Sequence, residues 1–573
     1  MENNGANHEF LDFINTETNK MLANLSSDTT QQAFAQFHKQ WTQLTYQNFS
    51  DPSAWLNTVI DFQKQQINLW NQILTQEPSD SESIDLETPI KDLQDNIFDY
   101  IKKSYVITSN ILSGIASQST LDPHHKKVFE FYTKQYTDAM SPDNFAATNP
   151  EVIQEAINTN GQSLVDGLKN LMCDIEKGRI SMTDETAFTL GKNIATSKGA
   201  IVYENELFQL IHYKPKKAQV YSRPMLIVPP CINKFYILDL QQNNSFVDYC
   251  LEQEQNLFMV SWVNPNKNQG HLSWDNYVGD GVIKAINVVR DITEAEDINT
   301  ISWCVGGTLL ASALAVLTKK KQPLVHSSTF LTTLLDFSQP GEISVFIDKP
   351  QVEALLKKTK EQGVLNGRQL SAAFNMLRSN DLIWSYVINN YLKGKQPPPF
   401  DILYWNGDST NLPYEMYQFY ITEMYLNNNL VKKNAIKICD QGIDLSEVDI
   451  PCYFLSTIGD HIAPWRTSFK GTQLLKGDNE FVLGASGHIA GVINPPAKKR
   501  RHYWVNNQAH NDADQWLKTA TKQEGSWWPH WQNWLTKQLE DKIDAPSFGS
   551  KRHPVIEEAP GRYVKVSIED MED

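Results

Sequence analysis

Cysteine is scarce in this chain, with six residues among 573. The six are scattered, and no two stand at the C-x-x-C spacing that zinc sites and redox pairs use. The sequence therefore predicts neither a metal site nor a disulfide framework, and we expect free thiols in a reducing, cytoplasmic location. The cysteines are Cys173, Cys231, Cys250, Cys304, Cys439 and Cys452.

Long apolar runs and an excess of positive charge are also missing. The chain opens on polar and acidic residues rather than on a basic segment followed by an apolar one, so we expect no signal peptide. No run is long and apolar enough to cross a bilayer, so we expect no transmembrane segment. There are 51 Lys and Arg against 67 Asp and Glu, a formal charge of −16. Such a chain repels phosphate backbones, so we expect no nucleic-acid partner.

The N-terminal part of the chain has apolar residues at helical spacing. Residues 1–85 are rich in Gln and Asn and are predicted to be a polar, partly helical extension. Residues 86–195 are predicted to be a helical N-terminal domain, since Leu93, Ile97 and Ile101 fall on one helical face. Two interpretations stay open: a helical support that covers apolar surface, or a surface for partners.

After residue 195 short β-branched runs alternate with helix-like stretches, as in a parallel sheet covered on both faces. We predict an α/β core in two parts, 196–335 and 431–573, and a helical, aromatic-rich lid or cap insertion at 336–430. The clearest strand-like runs are Met225–Pro230, Leu257–Trp262, Thr300–Trp303, Ser328–Leu335 and Pro451–Ser456.

The C-terminal part carries four tryptophans in the eight residues 527–534. Tryptophan clusters mainly bury area, so an aromatic helix packed on the core is the first interpretation. A patch that binds a hydrophobic surface is the second.

The run Ser302-Trp303-Cys304-Val305-Gly306 resembles a nucleophile elbow, the tight strand-to-helix turn usually written G-x-S-x-G, with cysteine in place of serine. A thiol attacks as the thiolate, so Cys304 requires a helix N-terminus and a histidine nearby. In this fold the acid and the histidine follow the nucleophile along the chain. Asp460 and His488 do so, each in a loop after a predicted strand, and we predict them as the partners of Cys304.

An oxyanion hole needs two backbone donors. One is predicted at the amide of Val305, directly after the nucleophile. The other is predicted in the loop after the Met225–Val228 strand, at Cys231 or Ile232, because the two prolines that precede them lack an N–H group.

Together these segments resemble class I polyhydroxyalkanoate synthases. The resemblance covers roughly residues 90 to 560 and rests on five ordered motifs, at Val228–Leu240, Cys304–Thr308, Tyr404–Pro413, Gly459–Trp465 and Gly484–Pro496. It implies an α/β-hydrolase core with a lid, and an acyltransferase that polymerises (R)-3-hydroxyacyl-CoA, short chains such as 3-hydroxybutyryl included, with release of CoA. It also implies a homodimer at the surface of cytoplasmic polyester granules, which contacts the growing chain and other granule proteins.

The resemblance further implies roles for single residues. Cys304 would carry the acyl group, His488 would be its base, and Asp460 would support His488 or activate the 3-hydroxyl of the substrate. Arg378 and His461 match positions associated with CoA binding. No cofactor is implied, since the CoA thioester is the substrate and CoA the product.

One residue departs from the family pattern, because Ser302 stands where the elbow usually has glycine. Two other functions use related features. A thioesterase or intracellular polyester depolymerase would share the triad, and a non-catalytic granule-binding protein would use the tryptophan-rich segment and the N-terminal helices.

Overall fold

The computed structural model describes residues 88–571 and the single residue 65. The predicted extension 1–85 therefore lies outside the described residues, apart from residue 65. The chain divides into two compact units, residues 1–157 and residues 158–573. The boundaries predicted for the domains stay predictions.

The described part of the first unit is helical. Its helices are α1 (Thr88–Ser117), α2 (Pro123–Ala139) and α3 (Pro150–Asn158). Asp122 begins α2, because its side chain accepts hydrogen bonds from the amides of His124 and His125. The Tyr105 hydroxyl donates to the Thr137 carbonyl at 2.8 Å and so joins α1 to α2.

The second unit is built on a mixed sheet of eleven strands. In chain order the strands of the unit are β1 (Gly199–Glu204), β2 (Phe208–Tyr213), β3 (Gln219–Tyr221), β4 (Met225–Val228), β5 (Leu257–Trp262), β6 (Ile298–Trp303), β7 (Val325–Leu331), β8 (Val364–Leu365), β9 (Leu412–Pro413), β10 (Lys437–Ile438), β11 (Gln441–Gly442), β12 (Cys452–Thr457), β13 (Asn479–Gly484), β14 (His502–Val505), β15 (Thr521–Glu524), β16 (Lys542–Asp544) and β17 (Glu557–Glu558).

The order across the large sheet is β15-β14-β13-β12-β7-β6-β4-β5-β2-β1-β17. The six central strands, from β13 to β5, are parallel, and antiparallel strands extend the sheet at both edges. Five of the six parallel strands coincide with the apolar runs that the sequence predicted, and the predicted α/β-hydrolase core is confirmed. Several strand ends differ from the predicted runs, and the largest difference is in β7, which was predicted to reach Leu335 and ends at Leu331. The backbone turns away at Thr332, whose φ of 43° is incompatible with a continuing strand.

Helices cover both faces of this sheet. The helices of six residues or more are α4 (Gln162–Lys177), α5 (Phe246–Glu252), α6 (Lys284–Thr293), α7 (Val305–Lys319), α8 (Lys349–Gln362), α9 (Gly367–Leu377), α10 (Asp401–Gly407), α11 (Tyr414–Phe419), α12 (Trp465–Leu474), α13 (Ala513–Thr519) and α14 (Trp528–Thr536). The short helix Trp274–Asn276 and the π-helical segment Tyr277–Ile283 run directly into α6. Three more π-helical segments occupy Asn380–Trp384, Val387–Leu392 and Tyr420–Leu426.

The tryptophan cluster packs inside the protein. Trp527, Trp528, Trp531 and Trp534 are all buried, and Phe246 of α5 contacts the first three of them. The indole of Trp531 also donates to Thr329 Oγ1 of β7 at 3.0 Å. The interpretation as an aromatic helix packed on the core is confirmed, and these four side chains form no exposed patch.

The segment between β7 and β12 holds helices α8 to α11, all four of them in the predicted insertion. It also packs on α4 of the same unit. The Asn170 side chain donates to the Asn390 carbonyl at 3.0 Å, and the Tyr391 hydroxyl donates to Asp174 Oδ2 at 2.7 Å. Among the described helices, none combines the length and the apolar character that crossing a membrane requires.

Candidate active site

Cys304 stands on a strained turn between β6 and α7. Its backbone has a φ of 52° and a ψ of −127°, a conformation that non-glycine residues rarely adopt. The turn is held on both sides, because the Cys304 amide donates to the Leu331 carbonyl at 3.0 Å and the Gly307 amide donates to the Cys304 carbonyl at 2.9 Å. The side chain is thereby raised above the carboxyl edge of the sheet, as in a nucleophile elbow.

Gly306 lets α7 begin this close to the sheet. A Cβ atom at this position would stand 2.5 Å from the Val228 carbonyl oxygen at the end of β4. No real side chain tolerates that contact, so only glycine fits. The amide end of α7 therefore faces the cysteine, where the helix dipole favours negative charge.

Ser302, the departure from the usual elbow glycine, is accommodated without strain on the turn. Its side chain is fully buried and its hydroxyl donates to the Thr329 carbonyl of β7 at 3.1 Å. The hydroxyl is therefore paired, and it adds a cross-strand hydrogen bond directly beneath the elbow.

Asp460 and His488 meet as the sequence predicted that they would, although 28 residues separate them. His488 Nδ1 lies 2.7 Å from Asp460 Oδ2. Asp460 Oδ1 accepts the amides of Ile462 and Ala463 at 2.8 Å each, which fixes the carboxylate. His488 and Cys304 line the same cavity. The three predicted residues thus stand in nucleophile–histidine–acid order.

The electrostatics of His488 favour its protonated form. Burial by itself lowers the pKa of His488, but the negative charges of Asp460 and of Cys304, and the hydrogen bonds to both, raise that pKa to about 10. A protonated His488 is therefore the neighbour of the sulfur that the sequence predicts as the nucleophile.

The predicted oxyanion residues lie at different depths. Val305 begins α7 directly after Cys304, and Ile232 lines the cavity of Cys304. Cys231 is buried in the core below the cavity, and burial raises the pKa of its thiol to about 12. Ile232 lines the cavity and Cys231 does not, and the oxyanion role of each residue stays a prediction.

The insertion clamps this loop, a feature that the sequence analysis missed. Thr410 donates its hydroxyl to the Cys231 carbonyl at 2.7 Å and its amide to the Ile232 carbonyl at 3.0 Å. The buried Lys234 ammonium lies 2.7 Å from Asp408 Oδ1, and Tyr236 donates to Asp408 Oδ2 at 2.8 Å. The only sequence signal was that both segments belong to family motifs.

The two residues predicted for CoA binding lie side by side. Arg378 Nε donates to His461 Nδ1 at 3.5 Å. Burial, and then the charge of Arg378, lowers the pKa of His461 to about 4, so the imidazole is neutral at pH 7. Neither side chain lines the cavity of Cys304, whose lining lies wholly within the described residues. Their binding role stays a prediction.

The cavity above Cys304 is small, about 80 Å³, and residues of the insertion form part of its wall. Ser371 and Phe374 of α9 line it together with Trp405 and Ser409. The predicted lid segment therefore covers the nucleophile, and Phe374 and Trp405 are the apolar side chains that it contributes. Such a lining can exclude water from an acyl-enzyme.

Comparison with known proteins gives consistent matches over most of the chain. Residues 89–250 match the family model described as the N-terminus of poly-beta-hydroxybutyrate polymerase, and residues 224–495 match the alpha/beta hydrolase fold. A poly(3-hydroxyalkanoate) polymerase subunit from Cupriavidus necator is 46% identical over 80% of this chain and 79% of its own length.

Two further relatives support the same assignment. A poly(3-hydroxyalkanoate) polymerase subunit from Rhizobium etli is 41% identical over 83% of this chain and 75% of its own length. Poly(3-hydroxyalkanoate) polymerase 1 from Ectopseudomonas oleovorans is 37% identical over 81% of this chain and 83% of its own length. The chain therefore belongs to the poly(3-hydroxyalkanoate) polymerase family.

Proposed function

We propose that this protein polymerises (R)-3-hydroxyacyl-CoA into polyhydroxyalkanoate and releases CoA. One observation carries the proposal: a cysteine, and not a serine, stands on the elbow beside a histidine–carboxylate pair in a chain 46% identical to a named polymerase. A thioester substrate suits a thiol nucleophile, because acyl transfer between two thiols is nearly balanced in free energy.

In the first half-reaction the Cys304 thiolate attacks the thioester carbonyl and forms a C–S bond. The amides of Val305 and Ile232 hold the oxyanion. When the intermediate collapses, the bond to the sulfur of CoA breaks, and the His488 imidazolium gives its proton to that sulfur. The products are an acylated Cys304, neutral His488 and free CoA.

In the second half-reaction the 3-hydroxyl of another hydroxyacyl unit attacks the acyl group on Cys304. His488 takes the proton of that hydroxyl, a C–O bond forms, and the bond to the Cys304 sulfur breaks. The polyester is one unit longer, and the thiolate and imidazolium are restored.

Asp460 supports His488 rather than meeting the substrate. Its side chain has no exposed surface, and its two oxygens face three donors: Ile462, Ala463 and His488. This enclosure supports the first of the two predicted roles, in which Asp460 holds the His488 ring and stabilises the imidazolium, over activation of the substrate 3-hydroxyl.

Product analysis separates this proposal from a thioesterase or depolymerase. Incubation with 3-hydroxybutyryl-CoA should release CoA and leave an insoluble polyester. Release of CoA with free 3-hydroxybutyrate as the sole second product would establish a hydrolase instead. Intact turnover by Cys304→Ala would favour a non-catalytic granule-binding protein, since loss of a nucleophile costs on the order of 10³-fold or more.

We also infer a cytoplasmic homodimer attached to polyester granules. The family resemblance supports the dimer, and the described helices of the first unit carry none of the residues proposed for catalysis. A truncation that starts at residue 158 keeps α4, which packs on Val387–Leu392. If that truncation stays dimeric and bound to granules, the first unit serves neither purpose.

A further inference from the structure

Helix α9 divides the space around the nucleophile into three cavities. Ser371 and Phe374 face the small cavity of Cys304. On one side Arg368, Ala372 and Asn375 face a second cavity of about 240 Å³. On the other side Leu370 and Ala373 face a third, of about 320 Å³. Residues three and four apart share one face of a helix, so different faces of α9 can line different cavities.

The second and third cavities differ in chemistry. Arg179, Arg368 and Glu185 line the second one, whereas no charged side chain lines the third, which lies wholly within the described residues. Ile343, Phe346, Leu355 and Leu370 are among the apolar residues that form the third cavity. An alkyl group gains free energy by entering such a space, and a CoA phosphate does not.

The apolar cavity adjoins the nucleophile directly. Ile232 and Phe374 line both it and the cavity of Cys304. Tyr425 lines the apolar cavity on the side of Cys304. Burial raises the pKa of Tyr425, and the negative charge at Cys304 raises it further, as expected for neighbouring groups. An acyl group whose carbonyl lies at the Ile232 amide therefore has its alkyl part beside the mouth of this cavity.

We infer that the apolar cavity between α8, α9 and the Tyr420–Leu426 segment receives the alkyl substituent of the acyl group on Cys304, and that Phe374 at its mouth determines the chain length accepted. The cavity of Cys304 itself, about 80 Å³, has a quarter of the volume of the apolar cavity, about 320 Å³. The inference rests on the proposed function, since it concerns the acyl group that this activity places on Cys304.

Two neighbouring alanines provide a matched test. Ala373→Phe narrows the apolar cavity, and Ala372→Phe adds the same ring on the side of the charged one. For each variant the ratio of kcat/KM for 3-hydroxyhexanoyl-CoA to that for 3-hydroxybutyryl-CoA is measured. The ratio cancels any loss of folded enzyme, because both substrates meet the same preparation.

We expect Ala373→Phe to lower this ratio roughly 10-fold, the effect of two buried methylene groups, and Ala372→Phe to leave it unchanged. Phe374→Ala should raise the ratio by a similar factor, with Asn375→Ala as its control on the charged side. The inference would be overturned if Ala373→Phe and Ala372→Phe gave equal ratios, or if Phe374→Ala left the ratio unchanged. If the wild type releases CoA without polymer, the proposed function fails instead, and the ratio still tests the cavity.

Discussion

Replacing Asp460 by asparagine changes a single atom and removes the charge that supports His488. In the wild type, Asp460 Oδ1 accepts the amides of Ile462 and Ala463, and Oδ2 meets His488 Nδ1 at 2.7 Å. In the Asp460→Asn variant the side-chain amide oxygen would stay with the two backbone donors. The NH₂ group of the new side chain would then point at Nδ1 and force that nitrogen to accept a hydrogen bond.

Such a histidine is in the wrong tautomer. Its proton would sit on Nε2, toward Cys304, so the ring could not take a proton from the substrate hydroxyl. General acid–base catalysis by a positioned histidine is worth about 10² to 10⁴ in rate, and we expect kcat for Asp460→Asn to fall within that range. KM should change little, because the Asp460 side chain has no exposed surface and does not line the cavity. Loss of the carboxylate also lowers the pKa of His488, so the alkaline limb of the pH profile should move to lower pH.

The assay follows CoA release from 3-hydroxybutyryl-CoA against pH. Asp239→Asn is the matched control, because Asp239 is also a buried carboxylate, bonded to the hydroxyls of Ser197 and Ser245 at 2.7 Å, and lies outside the site. The control should lose stability while the folded fraction keeps a near-normal kcat. The reasoning would be refuted if Asp460→Asn were folded and kept kcat within about tenfold of the wild type.

Three further outcomes follow from the packing and the charges. Ser302→Gly should lower the free energy of unfolding, measured by urea titration, by about 1 to 2.5 kcal/mol. The substitution removes the hydrogen bond to Thr329 and adds a flexible residue to a central strand. An unchanged urea midpoint would show that the hydroxyl is dispensable. Trp531→Ala should cost about 3 to 5 kcal/mol by the same method, because the indole is fully buried and bonded, and a loss below about 1 kcal/mol would contradict its core position. The folded-state pKa of His488 lies above its ordinary value of 6.5, so its stabilising contribution is complete below pH 6.5 and is lost as pH rises through about 10. Urea titrations at pH 6.5 and at about pH 10 should show that the free energy of unfolding of the wild type falls as pH rises. The fall should be smaller in Asp460→Asn.

Much of the site could be predicted from the sequence because its signals are local. A strand, a cysteine and two glycines in succession define the elbow, and the order of acid and histidine follows from the fold. Asp460 and His488 each follow a strand that could be recognised alone. Parallel strands bring such loops to one edge, so their meeting needed no contact information.

The rest depends on contacts between residues that are far apart in the chain. The hydrogen bond from Thr410 to the Cys231 carbonyl joins residues 179 positions apart, and no periodic pattern in the sequence predicts it. Composition likewise cannot tell a buried tryptophan cluster from an exposed one, since both contain the same residues. The division of space by α9 depends on which of its faces each cavity meets, and that is fixed only by how the insertion packs.

The central claim is that Cys304 carries the acyl group. It is tested most directly by quenching the enzyme with acid during turnover of 3-hydroxybutyryl-CoA and mapping the acylated peptide by mass spectrometry. We predict 3-hydroxybutyryl units, singly or as a short oligomer, on the peptide that contains Cys304. In the Cys304→Ser variant we predict no thioester-linked acyl group on that peptide. Acylation of another cysteine such as Cys173, or turnover with no acylated cysteine at any quench time, would contradict the account.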